Sequence, residues 1–121
     1  MAITALLLAS ALGAAPDGCP APGEIEPLIR QYLETVYWSQ AERDNWQVSV
    51  VGNFEFSPAK PGKPVQKRLL PDQPATLACP VRLTVGYTIT HVDGRLEAMG
   101  GTPRTYWFYR DGFGDWAVHP E

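Results

Sequence analysis

The stretch LACPVRLTVGYTITHVDG, residues 77–94, alternates apolar and polar side chains along almost its whole length. A period of two puts every second side chain on the same face of a β-strand, so one face is expected to be buried. The pattern predicts a long strand that can bend at Gly86 and ends in a turn at Asp93-Gly94. The apolar face is expected to hold Leu77, Cys79, Val81, Leu83, Val85, Tyr87, Ile89 and His91.

A second strand is predicted upstream, in WQVSVVGNFEFS, residues 46–57. This segment also alternates, and Gly52 on its apolar parity indicates a bulge or a bend. The apolar face is expected to hold Trp46, Val48, Val50, Phe54 and Phe56.

The chain after the long strand predicts two further strands. Residues 95–103 end in Gly-Gly-Thr-Pro and indicate an irregular connection. Residues 104–110 and 115–119 predict the third and fourth strands, joined by a turn around Asp111-Gly112.

One amphipathic helix is predicted ahead of these strands, starting near residues 24–26 and running to about Ser39. Pro27 is expected in its first turn, where a missing N–H costs nothing. The apolar stripe is formed by Ile25, Leu28, Ile29, Tyr32, Leu33, Val36 and Tyr37.

A helix followed by about four antiparallel strands predicts an α+β fold, with the helix across the concave face of a curved sheet. This order of elements resembles the cystatin-like and NTF2-like folds, over roughly residues 24–119. The final DGFGDWAV, residues 111–118, is similar to the last hairpin of NTF2-like domains, where a polar turn precedes a Trp and a small apolar residue. The resemblance implies the fold and transfers no function.

The first fifteen residues, MAITALLLASALGAA, carry no charge and end in small residues. This is typical of a secretory signal peptide, and the apolar run is shorter than the roughly 20 residues of a transmembrane helix. We therefore expect a mature domain that begins near Pro16, in an exported protein that is periplasmic or secreted.

Two cysteines, Cys19 and Cys79, are expected to form a disulfide, as a cysteine pair in an exported chain usually does. Lipidation of Cys19 is the alternative, although Pro-Asp-Gly-Cys departs from a lipobox at two of three positions. The spacing of these cysteines from His91 and His119 matches no compact zinc motif, so neither a metal nor a cofactor is expected.

The formal net charge of -3 is mild and predicts neither nucleic-acid binding nor attraction to an anionic membrane. Residues 58–76 form a proline-rich basic loop that can hold a short edge strand. Such a loop is either a stiffened connection or a docking segment for an acidic partner. Residues 104–110 are aromatic on both faces, so one face must meet the helix and the other is covered or exposed.

The sequence favours a non-catalytic binding module for another protein or an envelope component, such as an inhibitor or immunity protein. The expected binding residues are two large aromatic residues of the third strand, Tyr106 and Trp107, and two basic residues of the loop, Lys67 and Arg68. The alternative is a small-molecule or catalytic pocket in which His91 and Asp93 serve as acid and base. The sequence leaves the oligomeric state open.

Overall fold

The computed structural model describes residues 18–121, in which helices pack on one face of a curled antiparallel sheet. The predicted α+β class is therefore confirmed. The expected signal peptide, residues 1–15, lies outside the described residues.

The first helix, α1, spans Pro22–Tyr32 and continues as a π-helical turn, Leu33–Tyr37. It begins earlier than predicted because Pro22 occupies its first turn, so Pro27 falls in the second turn. Its buried side chains follow the predicted stripe only as far as Leu33. The wider π turn rotates the stripe toward solvent, and Val36 and Tyr37 are exposed, contrary to the prediction.

A second helix, α2, spans Gln40–Trp46 and was not predicted. None of its residues is buried, so it leaves no apolar periodicity in the sequence. Its start is capped by Ser39, whose hydroxyl accepts the N–H of Glu42 at 3.3 Å. The guanidinium of Arg43 donates to two main-chain carbonyls of the preceding turn, at 2.8 and 2.7 Å, and so holds the corner between the helices.

The sheet contains six strands, where about four were expected, because the basic loop contributes two short ones. The strands are β1 (Val48–Phe56), β2 (Lys60–Pro61), β3 (Val65–Lys67), β4 (Thr76–His91), β5 (Leu96–Arg110) and β6 (Trp116–Pro120). The long strand β4 lies in the middle of the sheet. Strands β1, β2 and β3 pair in succession along one edge of β4, and β5 and then β6 extend the sheet from the other edge.

Strand β1 departs from the predicted alternation. Its pairing with β4 shifts register once after Val48 and again after Gly52, so the bulge expected at Gly52 is present. Each shift reverses which parity faces inward. As a result Val51 is buried, while Val50, predicted to be buried, is 54% exposed.

Strand β5 includes all but the first residue of the segment 95–103, which was predicted to be irregular. The two glycines there form a bulge within a continuous strand rather than a loop. Gly100 has a φ of 72° and lies so close to the carbonyl oxygen of Val85 that a Cβ atom would clash with it. Glycine is needed at this position both for its dihedral angle and for the close approach of the two backbones.

The core lies between α1 and the concave face of β4 and β5. The alternation of β4 is confirmed from Cys79 to His91, whose apolar-parity side chains are all buried. Leu77 is the exception, since it lies at the loop end of the strand and is exposed. From α1, the core receives Ile25, Ile29 and Leu33.

The predicted disulfide is present: Cys19 is bonded to Cys79 across 60 residues of sequence. It ties the segment that precedes α1 to the buried face of β4. Paired in this way, Cys19 has no thiol free for lipidation.

We expect reduction of this disulfide to lower the free energy of unfolding by up to about 4 kcal/mol, because opening a loop of this length restores entropy to the unfolded chain. Urea unfolding of oxidised and reduced protein measures the difference. The double variant Cys19→Ala/Cys79→Ala is the control and should not respond to reductant. Equal stability of the oxidised and reduced forms would contradict the expectation.

Candidate functional site

The helical layer does not fill the concave face of the sheet, and two of the clefts that remain share Tyr37 and Met99. The first, of about 280 Å³, is here named the Tyr–Arg pocket and is lined by Tyr32, Tyr37, Tyr87, Met99, Arg104 and Tyr106. The second, of about 330 Å³, is named the Trp–Glu cleft and is lined by Tyr37, Glu42, Trp46, His91, Glu97 and Met99. Because Tyr37 and Met99 border both, we treat the two clefts as one concave groove.

The Tyr–Arg pocket draws its polar groups from three elements. Tyr32 comes from α1, Tyr87 from β4, and Arg104 and Tyr106 from β5. The hydroxyl of Tyr87 accepts a hydrogen bond of 2.9 Å from the buried indole N–H of Trp38. This bond ties the helical corner to the sheet and leaves the hydroxyl hydrogen of Tyr87 free to donate into the pocket.

The phenols of the pocket are held in their neutral form. Burial raises the pKa of Tyr32, Tyr87 and Tyr106 above the ordinary value of 10.0. The nearby positive charge of Arg104 opposes this shift at all three residues. At physiological pH the pocket therefore presents neutral O–H donors around one guanidinium.

Two of these donors have no partner in the described part of the chain. Tyr106 is only 6% exposed, yet its hydroxyl forms no hydrogen bond within residues 18–121. In the same residues Arg104 forms neither an ion pair nor a side-chain hydrogen bond. Arg104 is exposed, and the only fully buried side-chain nitrogen or oxygen without a hydrogen-bond partner in residues 18–121 is His119 Nδ1. Both donors are therefore open to the pocket, where water or a ligand can accept their hydrogen bonds.

The Trp–Glu cleft combines aromatic faces with carboxylates. Trp46, at the end of α2, is 58% exposed, and its indole N–H donates to the Glu42 carboxylate at 3.2 Å. On the opposite wall, Glu97 Oε1 lies 2.9 Å from His91 Nε2. These contacts fix Trp46 and Glu97 in place on two sides of the opening.

The catalytic pair considered from the sequence is not brought together in one site. His91 is buried in the Trp–Glu cleft, where its partner is Glu97. Asp93 lies in the exposed turn after β4 and accepts the main-chain N–H of Arg95 at 3.0 Å. His119 pairs with Trp107 across the β5–β6 ladder, on the face opposite to the groove.

The expected binding residues fall on both faces of the sheet. Tyr106 lies in the concave groove, whereas Trp107 faces the convex side. The ammonium of Lys67 stands 4.4 Å from the Trp107 ring centroid, and the indole N–H donates to the Glu121 carboxylate at 2.6 Å. Arg68 donates to the main-chain carbonyl of Pro71 at 3.3 Å.

The second aromatic face of residues 104–110 is partly covered by the chain itself. Lys67 of β3 lies over Trp107, and Tyr109 borders a cavity together with Leu69 and Leu70 of the basic loop. Burial also raises the pKa of Tyr109. The loop thus serves as a cover for this face of the sheet.

Sequence reasoning did not single out four residues of the groove: Glu42, Trp46, Glu97 and Arg104. Arg104 lies on the same strand face as Tyr106. A charged residue on the inward face of a predicted strand could have indicated a binding site there. Glu97 gave no signal, because its segment resembled a loop. Glu42 lies on the unpredicted helix α2. Trp46 ends the same helix and is exposed, so its predicted place on the buried face of a strand was wrong.

Searches with this chain found no matching protein-family model, no matching curated protein and no matching solved structure. Within residues 18–121, no helix combines the length and apolar character needed to cross a lipid bilayer. The same residues hold no group of three or more His, Cys, Asp or Glu side chains placed to bind a metal ion.

We expect the free energy of unfolding to fall as the pH rises above about 10. The pKa values of Tyr32, Tyr87 and Tyr106 are raised in the folded protein, so the unfolded chain loses these protons first. Alkaline pH then favours the unfolded state. Guanidinium unfolding from pH 8 to pH 11.5 measures the effect.

The matched control is Tyr106→Phe. In this variant the free energy of unfolding should fall less steeply at alkaline pH, because one phenol with a raised pKa has been removed. A decline of the same steepness in this variant would contradict the assignment.

Proposed function

We propose that this protein is a non-catalytic binding protein that holds a small ligand by an anionic group in the Tyr–Arg pocket. The observation that carries the proposal is that Tyr106 and Arg104 line the same pocket. The Tyr106 side chain is almost fully buried and the Arg104 guanidinium is exposed, and neither forms a side-chain hydrogen bond or ion pair within residues 18–121.

The chemistry of these groups selects for an anion. Phenol hydroxyls and a guanidinium are hydrogen-bond donors, and a carboxylate or phosphate offers several acceptor oxygens at once. Water can reach these donors in the free protein, so a bound oxyanion gains mainly from charged hydrogen bonds to Arg104, which contribute roughly 1.5–3 kcal/mol. The neutral state of the phenols matters, because a phenolate would repel an anion.

We propose no catalytic role for His91 and Asp93. Asp93 is committed to the turn, and His91 is paired with Glu97. We interpret the His91–Glu97 pair as a fixed wall of the groove rather than an acid–base couple.

Docking of another protein on Trp107, Lys67 and Arg68 stays a prediction, and the groove is the better-supported site. Trp107 already has contacts within the chain on its ring face and at its indole nitrogen. A small component of the cell envelope would be present where an exported protein is expected and would be small enough to enter the groove.

We also propose that the protein is exported and that its fold is of the cystatin-like or NTF2-like kind. A disulfide supports export, since disulfides persist in oxidising compartments. A helix laid across the concave face of a curled antiparallel sheet supports the resemblance in fold.

We expect benzoate and inorganic phosphate at millimolar concentration to raise the melting temperature of the wild-type protein, because a ligand that binds only the folded state stabilises it. Arg104→Gln should weaken the affinity for these anions about tenfold or more, since charged hydrogen bonds contribute roughly 1.5–3 kcal/mol. Titration monitored by thermal shift gives the affinities.

The matched control is Arg82→Gln, which removes an exposed arginine from the opposite face of β4. Asp93→Ala is a second control and should also leave anion binding unchanged. Equal loss of affinity in Arg104→Gln and Arg82→Gln would mean that the anions respond only to overall charge, and the proposal would fail.

A further inference from the structure

The charged side chains that line the concave groove are separated by sign along its length. Arg104 is the cation at one end, in the Tyr–Arg pocket. Glu42 and Glu97 lie at the other end, in the Trp–Glu cleft. Tyr37 and Met99, which carry no charge, lie where the two clefts meet.

We infer that the natural ligand is a linear zwitterion whose ammonium end binds in the Trp–Glu cleft. This inference rests on the anion site proposed above, which would bind the other end. A short peptide with both termini free is the form that fits best. Its carboxylate would bind to Arg104 and the phenols, and its amino terminus would lie between Trp46 and the two glutamates.

The Trp–Glu cleft has the composition of a site for an organic cation. An ammonium group is attracted to the face of an aromatic ring, most strongly to that of tryptophan. Trp46 and Tyr37 are exposed beside the opening, and Trp46 is held in place by its hydrogen bond to Glu42. The carboxylates of Glu42 and Glu97 add a direct Coulomb attraction that an anion would not receive.

The distance between the two ends sets the length of the ligand. Along β4, the Tyr–Arg pocket is lined by Val85 and Tyr87, and the Trp–Glu cleft by Ile89 and His91. The midpoints of these two residue pairs are four residues apart along β4, which corresponds to about 13 Å of strand. An extended peptide of about four residues spans a similar length.

The middle of the groove suits the uncharged part of such a ligand. Met99 is partly buried, and its flexible thioether adapts to differently shaped side chains. A short peptide with small apolar residues would therefore meet uncharged surface between its two charged ends.

The inference is tested by isothermal titration of the oxidised protein with tetra-alanine, N-acetyl-tetra-alanine, tetra-alanine amide and di-alanine. We expect tetra-alanine to bind about tenfold tighter than the acetylated peptide. Acetylation removes the terminal ammonium, and with it the attraction to the aromatic rings and carboxylates of the Trp–Glu cleft. Di-alanine should bind more weakly than tetra-alanine because it cannot reach both ends.

Trp46→Leu should remove most of the preference for the free amino terminus. This side chain is largely exposed, so the variant is expected to fold, and its melting temperature checks that. The matched control is Phe113→Leu, which alters an aromatic residue that is 92% exposed in the distant β5–β6 turn. Phe113→Leu should keep the full preference.

The outcomes separate the two proposals. Equal affinity for tetra-alanine and its acetylated form would overturn the zwitterion inference and leave the anion site standing. Equal affinity for tetra-alanine and its amide would overturn the anion site itself. Di-alanine binding as tightly as tetra-alanine would overturn the spacing on which the inference rests.

One further titration distinguishes two sources of the same chemistry. The ω-amino acid 9-aminononanoate carries the same pair of charges at the ends of a chain without peptide bonds. Binding equal to that of tetra-alanine supports recognition of the two charged ends alone, and weaker binding supports a peptide. Both results uphold the zwitterion.

Discussion

The close approach of Gly100 to the carbonyl of Val85 is the constraint on which the groove depends. A bulge at this point, opposite Gly86, interrupts the regular pairing of β4 with β5. Bulges bend and twist a strand, so the two longest strands curl at this point. The helix covers one part of the concave face, and the remainder stays open with Met99, Arg104 and the phenols around it.

The helical layer both closes the core and shapes the groove. Leu33, the first residue of the π turn, is buried in the core, whereas Tyr37 at the end of that turn borders the groove. The Trp38–Tyr87 hydrogen bond then joins this corner to the sheet at the boundary between the two clefts.

The sequence predicted those features that repeat with a clear period. β4, the first three turns of α1 and the disulfide partners were recognisable from alternation, helical spacing and cysteine count. Gly52 indicated one bulge in β1, but the register shift after Val48 and the bulge in β5 were not predicted, because each depends on the strand that lies alongside. The groove was missed for a related reason, since α2 has no buried face and Glu97 lay in an apparent loop.

The central claim is that ligand binds in the concave groove and not on the convex face. Amide chemical-shift changes in ¹H–¹⁵N spectra, recorded as tetra-alanine is added, test it most directly. The account predicts that the largest changes occur at Tyr37, Met99 and Gly100, which border the groove. Changes concentrated at Lys67 and Trp107, with the groove amides unmoved, would contradict it.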